Sequence, residues 1–169
     1  MSQIILEWDK SKRLYALHVF LYRKTDPMTI GGKLHYVNSQ TVMYIDTGSN
    51  ITSIREKEAT ELEIDLQSLE NMPVAGSGGF TQTKIARNIE IFTQNSQGNP
   101  LSVSMDQISI VPDILKKKEK SKGMYRQRGE SEAQMVCLLG LDYIEKINGT
   151  LKLDLQNKSG SIEYNENNL

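Results

Sequence analysis

The sequence predicts an all-β domain, and three observations support this class. Apolar and polar residues alternate in short runs typical of strands, as in residues 14–22 and 151–155. Polar, turn-rich segments separate these runs, as in residues 93–100. Helical patterns are confined to a charged stretch at 53–69 and a short one after Gly140. With 169 residues and no internal repeat, residues 1–169 are expected to form one well-buried domain.

The first part of the chain contains a set of strands that leads into an acidic loop. Asp26 and Pro27 break the alternation of the second strand, and a turn at 38–40 folds the chain back into an apolar strand. The charged stretch at 53–69 is expected to be a helix with its charges in solvent. The strands expected here are 4–8, 14–22, 34–37 and 42–45.

The second part begins with a glycine-rich hairpin tip at 76–79 and ends in a hairpin with its turn at 156–160. Residues 113–134 are mostly polar and lack apolar periodicity, so they bury too little surface to offset their ordering entropy. We therefore expect a flexible surface insertion there. The strands expected in this part are 89–92, 101–105, 108–111, 135–139, 151–155 and 161–164.

The most informative feature is an apolar strand that runs directly into Asp46, Thr47, Gly48 and Ser49. Removing a carboxylate from water is costly unless neighbours satisfy it. Two hydroxyls and two backbone amides of the next three residues can donate to this acid. The pattern indicates a held, working carboxyl group. The alternative is an ordinary exit from strand to turn, where Asp and Gly are both common.

Two further motifs follow the acidic loop in the order found in retropepsins, the retroviral-type aspartic proteases. Residues 46–49 match the catalytic loop of that family, and residues 76–80 resemble its flap tip. Residues 138–142 are similar to its hydrophobic segment and glycine before the C-terminal helix. The Gly-Leu-Asp form is closest to the cellular and prokaryotic branch. Viral members carry an Arg and an acid where this chain has Leu141 and Asn50, so their ion pair is absent here.

The resemblance implies an acid-protease barrel with a flap hairpin and a short C-terminal helix, acting as a homodimer. Aspartic protease chemistry uses two carboxyl groups that share one proton, and this chain supplies one Asp-Thr-Gly. The site would therefore lie on a twofold axis. The resemblance assigns catalysis to Asp46, loop support to Thr47, Gly48 and Ser49, and flap or substrate contacts to Asn50, Ala75, Gly76, Ser77, Gly78 and Gly79.

The implied function is that of an aspartic endopeptidase acting on extended polypeptides, with a protein or peptide substrate and a second copy as partners. The alternative is a catalytically idle dimer that binds peptides or mediates assembly. The hydroxyl of Ser49 is expected to donate to the ionised Asp46 carboxylate, which would favour activity in mildly acidic conditions.

Composition excludes several other classes. Twenty basic and twenty-one acidic residues give a net charge of −1, so no overall field favours nucleic acid or an anionic membrane. A basic run at 116–128 leaves a nucleic-acid-binding module as a minor alternative. Cys137 is the single cysteine and is expected to be a buried thiol, while His18 and His35 lie in separate strands. We expect no metal, no cofactor, no signal peptide and a cytoplasmic location.

Overall fold

The computed structural model describes residues 1–24, 28–30, 33–35, 37–76, 79–118 and 130–166. Within these ranges the chain is mostly strand, which confirms the all-β class. Neither of the two six-residue helices found there is long or apolar enough to cross a membrane. The elements are β1 (Ser2–Asp9), β2 (Leu14–Arg23), β3 (Met28–Ile30), β4 (Lys33–His35), β5 (Asn38–Ile45), β6 (Ser53–Arg55), α1 (Glu56–Glu61), β7 (Asn71–Gly76), β8 (Gly79–Ala86), β9 (Ile89–Gln94), β10 (Pro100–Met105), β11 (Ile108–Val111), β12 (Ile114–Lys118), β13 (Glu130–Gln134), β14 (Cys137–Leu139), α2 (Leu141–Lys146), β15 (Thr150–Asp154) and β16 (Ser159–Tyr164).

Twelve of the described strands form one sheet, in which ten follow the order β15-β16-β1-β2-β5-β14-β6-β11-β8-β7 and two, β9 and β10, branch from β2. The long strand β2 organises it, because β5 pairs along one edge while β1 and β9 share the other. Strand β10 extends the sheet from β9. Near the centre, β14 runs parallel to β5 and antiparallel to β6. This arrangement brings the end of the acidic strand against a strand from the last quarter of the chain.

The core lies on the side of the sheet to which alternate apolar residues point. In β2, Leu17, Val19 and Leu21 are buried, whereas His18 and Phe20 are exposed, as strict alternation requires. Cys137 is buried in the same core and is a free thiol, as expected. Burial raises the pKa of this thiol to about 11.

The turn expected at 38–40 is instead the start of β5, which begins at Asn38 and pairs with β2 up to Tyr22. Two of its polar residues, Ser39 and Thr41, are buried, and both have hydrogen-bond partners. Ser39 donates to Glu61 at 2.5 Å, and Thr41 donates to Glu58 at 3.2 Å. Hydrogen bonds to helix α1 therefore allow these residues to occupy a strand that their composition does not predict.

The charged stretch at 53–69 differs from its prediction in two ways. Only α1 is helical, and Glu58 is 1% exposed, so its carboxylate does not belong to a solvated face. Arg55 donates to both oxygens of Glu58. Burial is the largest single influence and raises the pKa of Glu58, but the hydrogen bonds from Arg55 and Cys137 and the positive charge of Arg55 together outweigh it and leave the pKa below its ordinary value.

The segment at 113–134 begins and ends in strands that the sequence analysis missed. Strands β12 and β13 pair from Ile114 opposite Gln134 to Lys118 opposite Glu130. The backbone register sets Lys116 opposite Glu132 and Lys118 opposite Glu130, and a sequence with opposite charges at paired positions favours a hairpin that lacks apolar periodicity. Residues 119–129 lie outside the described part, so the flexible insertion remains a prediction.

Candidate active site

Asp46 lies immediately after β5, at the point where the strand leaves the sheet. Its amide donates to the carbonyl of Leu139 at 3.1 Å, which extends the parallel pairing of β5 with β14 by one residue. Its carboxylate Oδ1 accepts a hydrogen bond from the Gly48 amide at 2.9 Å. The side chain is half-buried. Strand β14 thus fixes the backbone of Asp46, while the side chain remains partly accessible.

The loop after Asp46 is a tight turn closed by a bond from the Ser49 amide to the Asp46 carbonyl at 3.2 Å. A Cβ atom on Gly48 would lie 3.2 Å from Oδ1 of Asp46, so a side chain there would crowd the carboxylate. Thr47, Gly48 and Asn50 are exposed. The loop therefore presents a compact polar surface around the acid, although the contributions of these residues to binding remain predictions.

The prediction that the Ser49 hydroxyl donates a hydrogen bond to the Asp46 carboxylate is wrong. The Ser49 hydroxyl donates instead to the carbonyl of Ile51 at 2.7 Å, and its oxygen lies 3.3 Å from the Ile51 amide as acceptor. A serine hydroxyl carries a single proton, so donation to Ile51 removes it from the carboxylate. Ser49 therefore folds the loop on itself and does not contact the acid through this proton.

The glycine-rich hairpin expected as a flap is formed by β7 and β8. Its pairing extends to Ala75 opposite Phe80 and Gly76 opposite Gly79. Ser77 and Gly78 lie outside the described residues. Strand β8 pairs with β11, which in turn pairs with β6, so the hairpin and the acidic loop belong to one continuous sheet.

Two residues that sequence reasoning did not assign, Asp142 and Thr52, fasten this loop from the other side. The Asp142 carboxylate accepts from the Thr52 amide at 3.0 and 2.9 Å and from the Thr52 hydroxyl at 2.6 Å. The Tyr143 amide donates to the same carboxylate at 2.9 Å. The position of Asp142 in a Gly-Leu-Asp motif was a signal, but its partner lies 90 residues earlier in the chain.

Gly140 completes the contact between the two segments. Its amide donates to the Thr52 hydroxyl at 3.1 Å, and the next amide, of Leu141, donates to the Ser49 carbonyl at 2.9 Å. A Cβ atom on Gly140 would lie 2.7 Å from the backbone carbon of Ile51 and 2.9 Å from Asp142 Oδ1. Backbone cannot yield to such an overlap, so this close approach requires glycine.

Comparisons with known proteins agree with the fold described above. No family model and no curated protein matches the chain. Among solved structures, a retropepsin-like aspartic protease from Rickettsia conorii superposes with a TM-score of 0.54 over 96% of this chain and 90% of that one. The two sequences are 12% identical. At that identity the likeness shows a retropepsin-like fold, and a fold does not by itself assign an activity.

Proposed function

We propose that this chain is an aspartic endopeptidase whose active site is formed by Asp46 from each of two identical subunits. The observation that carries the proposal is the setting of Asp46, whose backbone is held by β14 while its partly accessible carboxylate accepts from Gly48. The retropepsin-like fold supports it, because the Asp-Thr-Gly-Ser loop occupies the end of a central strand in this fold.

The chemistry follows from two carboxyl groups that share one proton. The ionised Asp46 of one subunit removes a proton from a water molecule as that water attacks the peptide carbonyl carbon. The protonated carboxyl of the other subunit gives its proton to the carbonyl oxygen. As the tetrahedral intermediate collapses and the carbon–nitrogen bond breaks, the carboxyl group that took the proton from water gives it to the leaving amine, and a hydroxyl of the intermediate returns a proton to the other carboxylate. No metal or cofactor is required for these steps.

The C-terminal edge of the sheet supports the homodimer. Leu151 faces the same side of the sheet as its paired residue Ile162, which is 0% exposed. Further along β15 and the following turn, Leu153 and Leu155 are 40% and 65% exposed. Leucines on the core side of an edge strand are costly to leave in water, so this edge is suited to extending the core into a second copy.

The sequence of β15 is also complementary to itself. An antiparallel pairing of two copies of β15 centred on Leu153 sets this leucine opposite Leu153 of the partner subunit. On the other face, the same register sets Lys152 opposite Asp154 of the partner subunit. Opposite charges across such a pair stabilise it, whereas like charges destabilise it. A twofold axis through this edge is compatible with one acid from each subunit.

We further propose that the substrate binds as an extended strand between the acidic loop and the β7–β8 hairpin. In this arrangement Thr47 braces the two subunits, the Gly48 carbonyl accepts from the substrate backbone, and Asn50 lines the site. The hairpin then acts as a flap that closes over the peptide. Its contributing residues are Ala75, Gly76, Ser77, Gly78 and Gly79.

The test is digestion of a peptide library by the wild type beside Asp46→Asn. Asparagine preserves the shape of the side chain but supplies neither the base nor the shared proton, so cleavage should fall by several orders of magnitude. Circular dichroism and sedimentation should be unchanged. Cleavage that persists in pure Asp46→Asn would refute the aspartic mechanism. A wild-type dimer that binds peptides without cleaving them would instead indicate the idle dimer.

A further inference from the structure

The contact between Asp142 and Thr52 connects the end of the acidic loop to the start of helix α2. Thr52 is 0% exposed and lies directly before β6, while Asp142 lies in the first turn of α2. Their bonds run in one direction. The Gly140 amide donates to the Thr52 hydroxyl, which donates to the Asp142 carboxylate. The chain of donors therefore ends on a group that must accept.

This connection controls both ends of the loop that carries Asp46. At one end, the Asp46 amide is bound to the Leu139 carbonyl, and Gly140 follows directly. At the other end, Thr52 is bound to Asp142. The Leu141 amide holds the middle of the loop through the Ser49 carbonyl. A shift of α2 relative to Thr52 would therefore move the segment that presents the carboxylate.

The chemistry of the pair is specific to a carboxylate and a hydroxyl. The Asp142 carboxylate accepts hydrogen bonds from the Thr52 amide, the Thr52 hydroxyl and the Tyr143 amide. An ionised carboxylate accepts on both oxygens, whereas a carboxamide replaces one acceptor with an NH₂ donor. Valine at position 52 has a similar shape to threonine but leaves the buried Gly140 amide without its acceptor.

We propose that Asp142 and Thr52 are positioning residues that hold the catalytic carboxylate of Asp46 in its working geometry. This inference rests on the proposed function, since the positioning role is measured through the rate of peptide cleavage. Neither residue contacts the carboxylate of Asp46 in the described contacts, so both act through the backbone of the loop. Small displacements of a reacting group produce large losses of rate, because the reaction needs a near-attack geometry.

The experiment compares Thr52→Val with Thr52→Ser, which retains the hydroxyl, and with Asp142→Asn. We expect Thr52→Val and Asp142→Asn to lower kcat about tenfold or more while KM changes less than about threefold. Thr52→Ser should recover most of the lost rate. Ile91→Val and Ile91→Ala serve as controls, because Ile91 is 0% exposed in β9 and lies outside the loop and its contacts. Whichever Ile91 variant matches the Tm of Thr52→Val should keep the wild-type kcat.

Hydrogen exchange supplies a readout independent of activity. The amides of Ser49 and Leu141 should exchange faster in Thr52→Val than in the Ile91 control of equal Tm. An equal loss of kcat in that control, or unchanged exchange at the loop, would overturn the positioning role. A wild type that cleaves no peptide would defeat the proposed function alone, and the exchange at Ser49 and Leu141 would then decide whether this contact orders the loop.

Discussion

The acidic loop and the C-terminal edge of the sheet differ in whether a single chain provides all their contacts. In the acidic loop, the buried Gly140 amide and the Thr52 hydroxyl find their partners within the same polypeptide. At the edge, Leu153 in β15 and Leu155 in the following turn remain substantially exposed. The first region is closed within the chain, while the second exposes apolar surface that another molecule can cover.

This difference separates two requirements that a dimeric enzyme would otherwise combine. Backbone geometry around Asp46 depends on contacts inside one subunit, so it can be damaged without altering assembly. In the proposed dimer, assembly depends on an exposed edge, so it can be abolished without unfolding the loop. Substitutions in one region should therefore leave the properties of the other region largely intact.

The largest effect is expected from Gly140→Ala, which breaks the closed region. The added methyl group would meet the Ile51 backbone at 2.7 Å, so the loop and α2 must separate. We expect a loss of about 3 kcal/mol in the free energy of unfolding, as for severe overpacking. Urea denaturation monitored by circular dichroism measures it.

The matched control is Gly98→Ala. Gly98 has a φ of +82° but no atom within 4 Å of an added Cβ, so only its backbone conformation is strained. That change should cost about 1 kcal/mol. Equal losses in the two variants would show that the close approach at Gly140 carries no special cost.

The next effect concerns the open region. Leu153→Asp places two like charges opposite each other at the centre of the proposed dimer and removes the apolar contact. We expect the dimer dissociation constant to rise on the order of 100-fold, measured by sedimentation at several concentrations. Ile114→Asp, at a position 50% exposed in β12, is the control for a charge placed on an apolar surface. A dimer as tight as the wild type in Leu153→Asp would exclude this edge.

A smaller effect tests the buried charge beneath β5. The pKa of Glu58 lies below its ordinary value of 4.5, so its contribution to stability is complete above that pH and is lost as pH falls through the folded-state value. Glu58→Gln should cost about 2 kcal/mol at pH 7 and should flatten the fall of Tm below pH 4.5. Glu56→Gln, exposed on the same helix, should change neither. If Tm falls with pH in Glu58→Gln as it does in the wild type, groups other than Glu58 cause that fall.

The smallest effect is expected at Ser49. Its hydroxyl bonds Ile51, so Ser49→Ala removes one loop contact of about 1 kcal/mol without removing a donor to Asp46. The pH profile of kcat/KM should keep its midpoints while its height falls. An acid limb displaced toward higher pH would show that this hydroxyl does reach the carboxylate in the working dimer.

Local patterns in the sequence were sufficient for the all-β class and for the bounds of several strands. Alternation identified β2 and β9 to within two residues at either end, and the glycine-rich tip correctly marked a hairpin between β7 and β8. These features depend on neighbours in sequence. They are therefore visible without knowledge of the tertiary structure.

The features that were missed depend on partners distant in sequence. The pairing of β12 with β13 is not visible in either segment alone, and the burial of Glu58 depends on contacts with Arg55 and Thr41. The role of Asp142 could not be predicted from the Gly-Leu-Asp motif, because it depends on hydrogen bonds to Thr52, which is distant in sequence. The Ser49 hydroxyl was misassigned because the sequence does not show how the loop folds, and in the folded loop this hydroxyl donates to the backbone carbonyl of Ile51.

The parallel pairing of β5 with β14 has a consequence for the order of folding. Leu139 and Asp142 are separated from Asp46 and Thr52 by about ninety positions of the chain, so closing this contact carries the entropy cost of a long loop. During synthesis, the acidic strand leaves the ribosome well before the segment that fixes its exit. A nascent chain that stops before residue 137 carries the acid without the backbone that positions it.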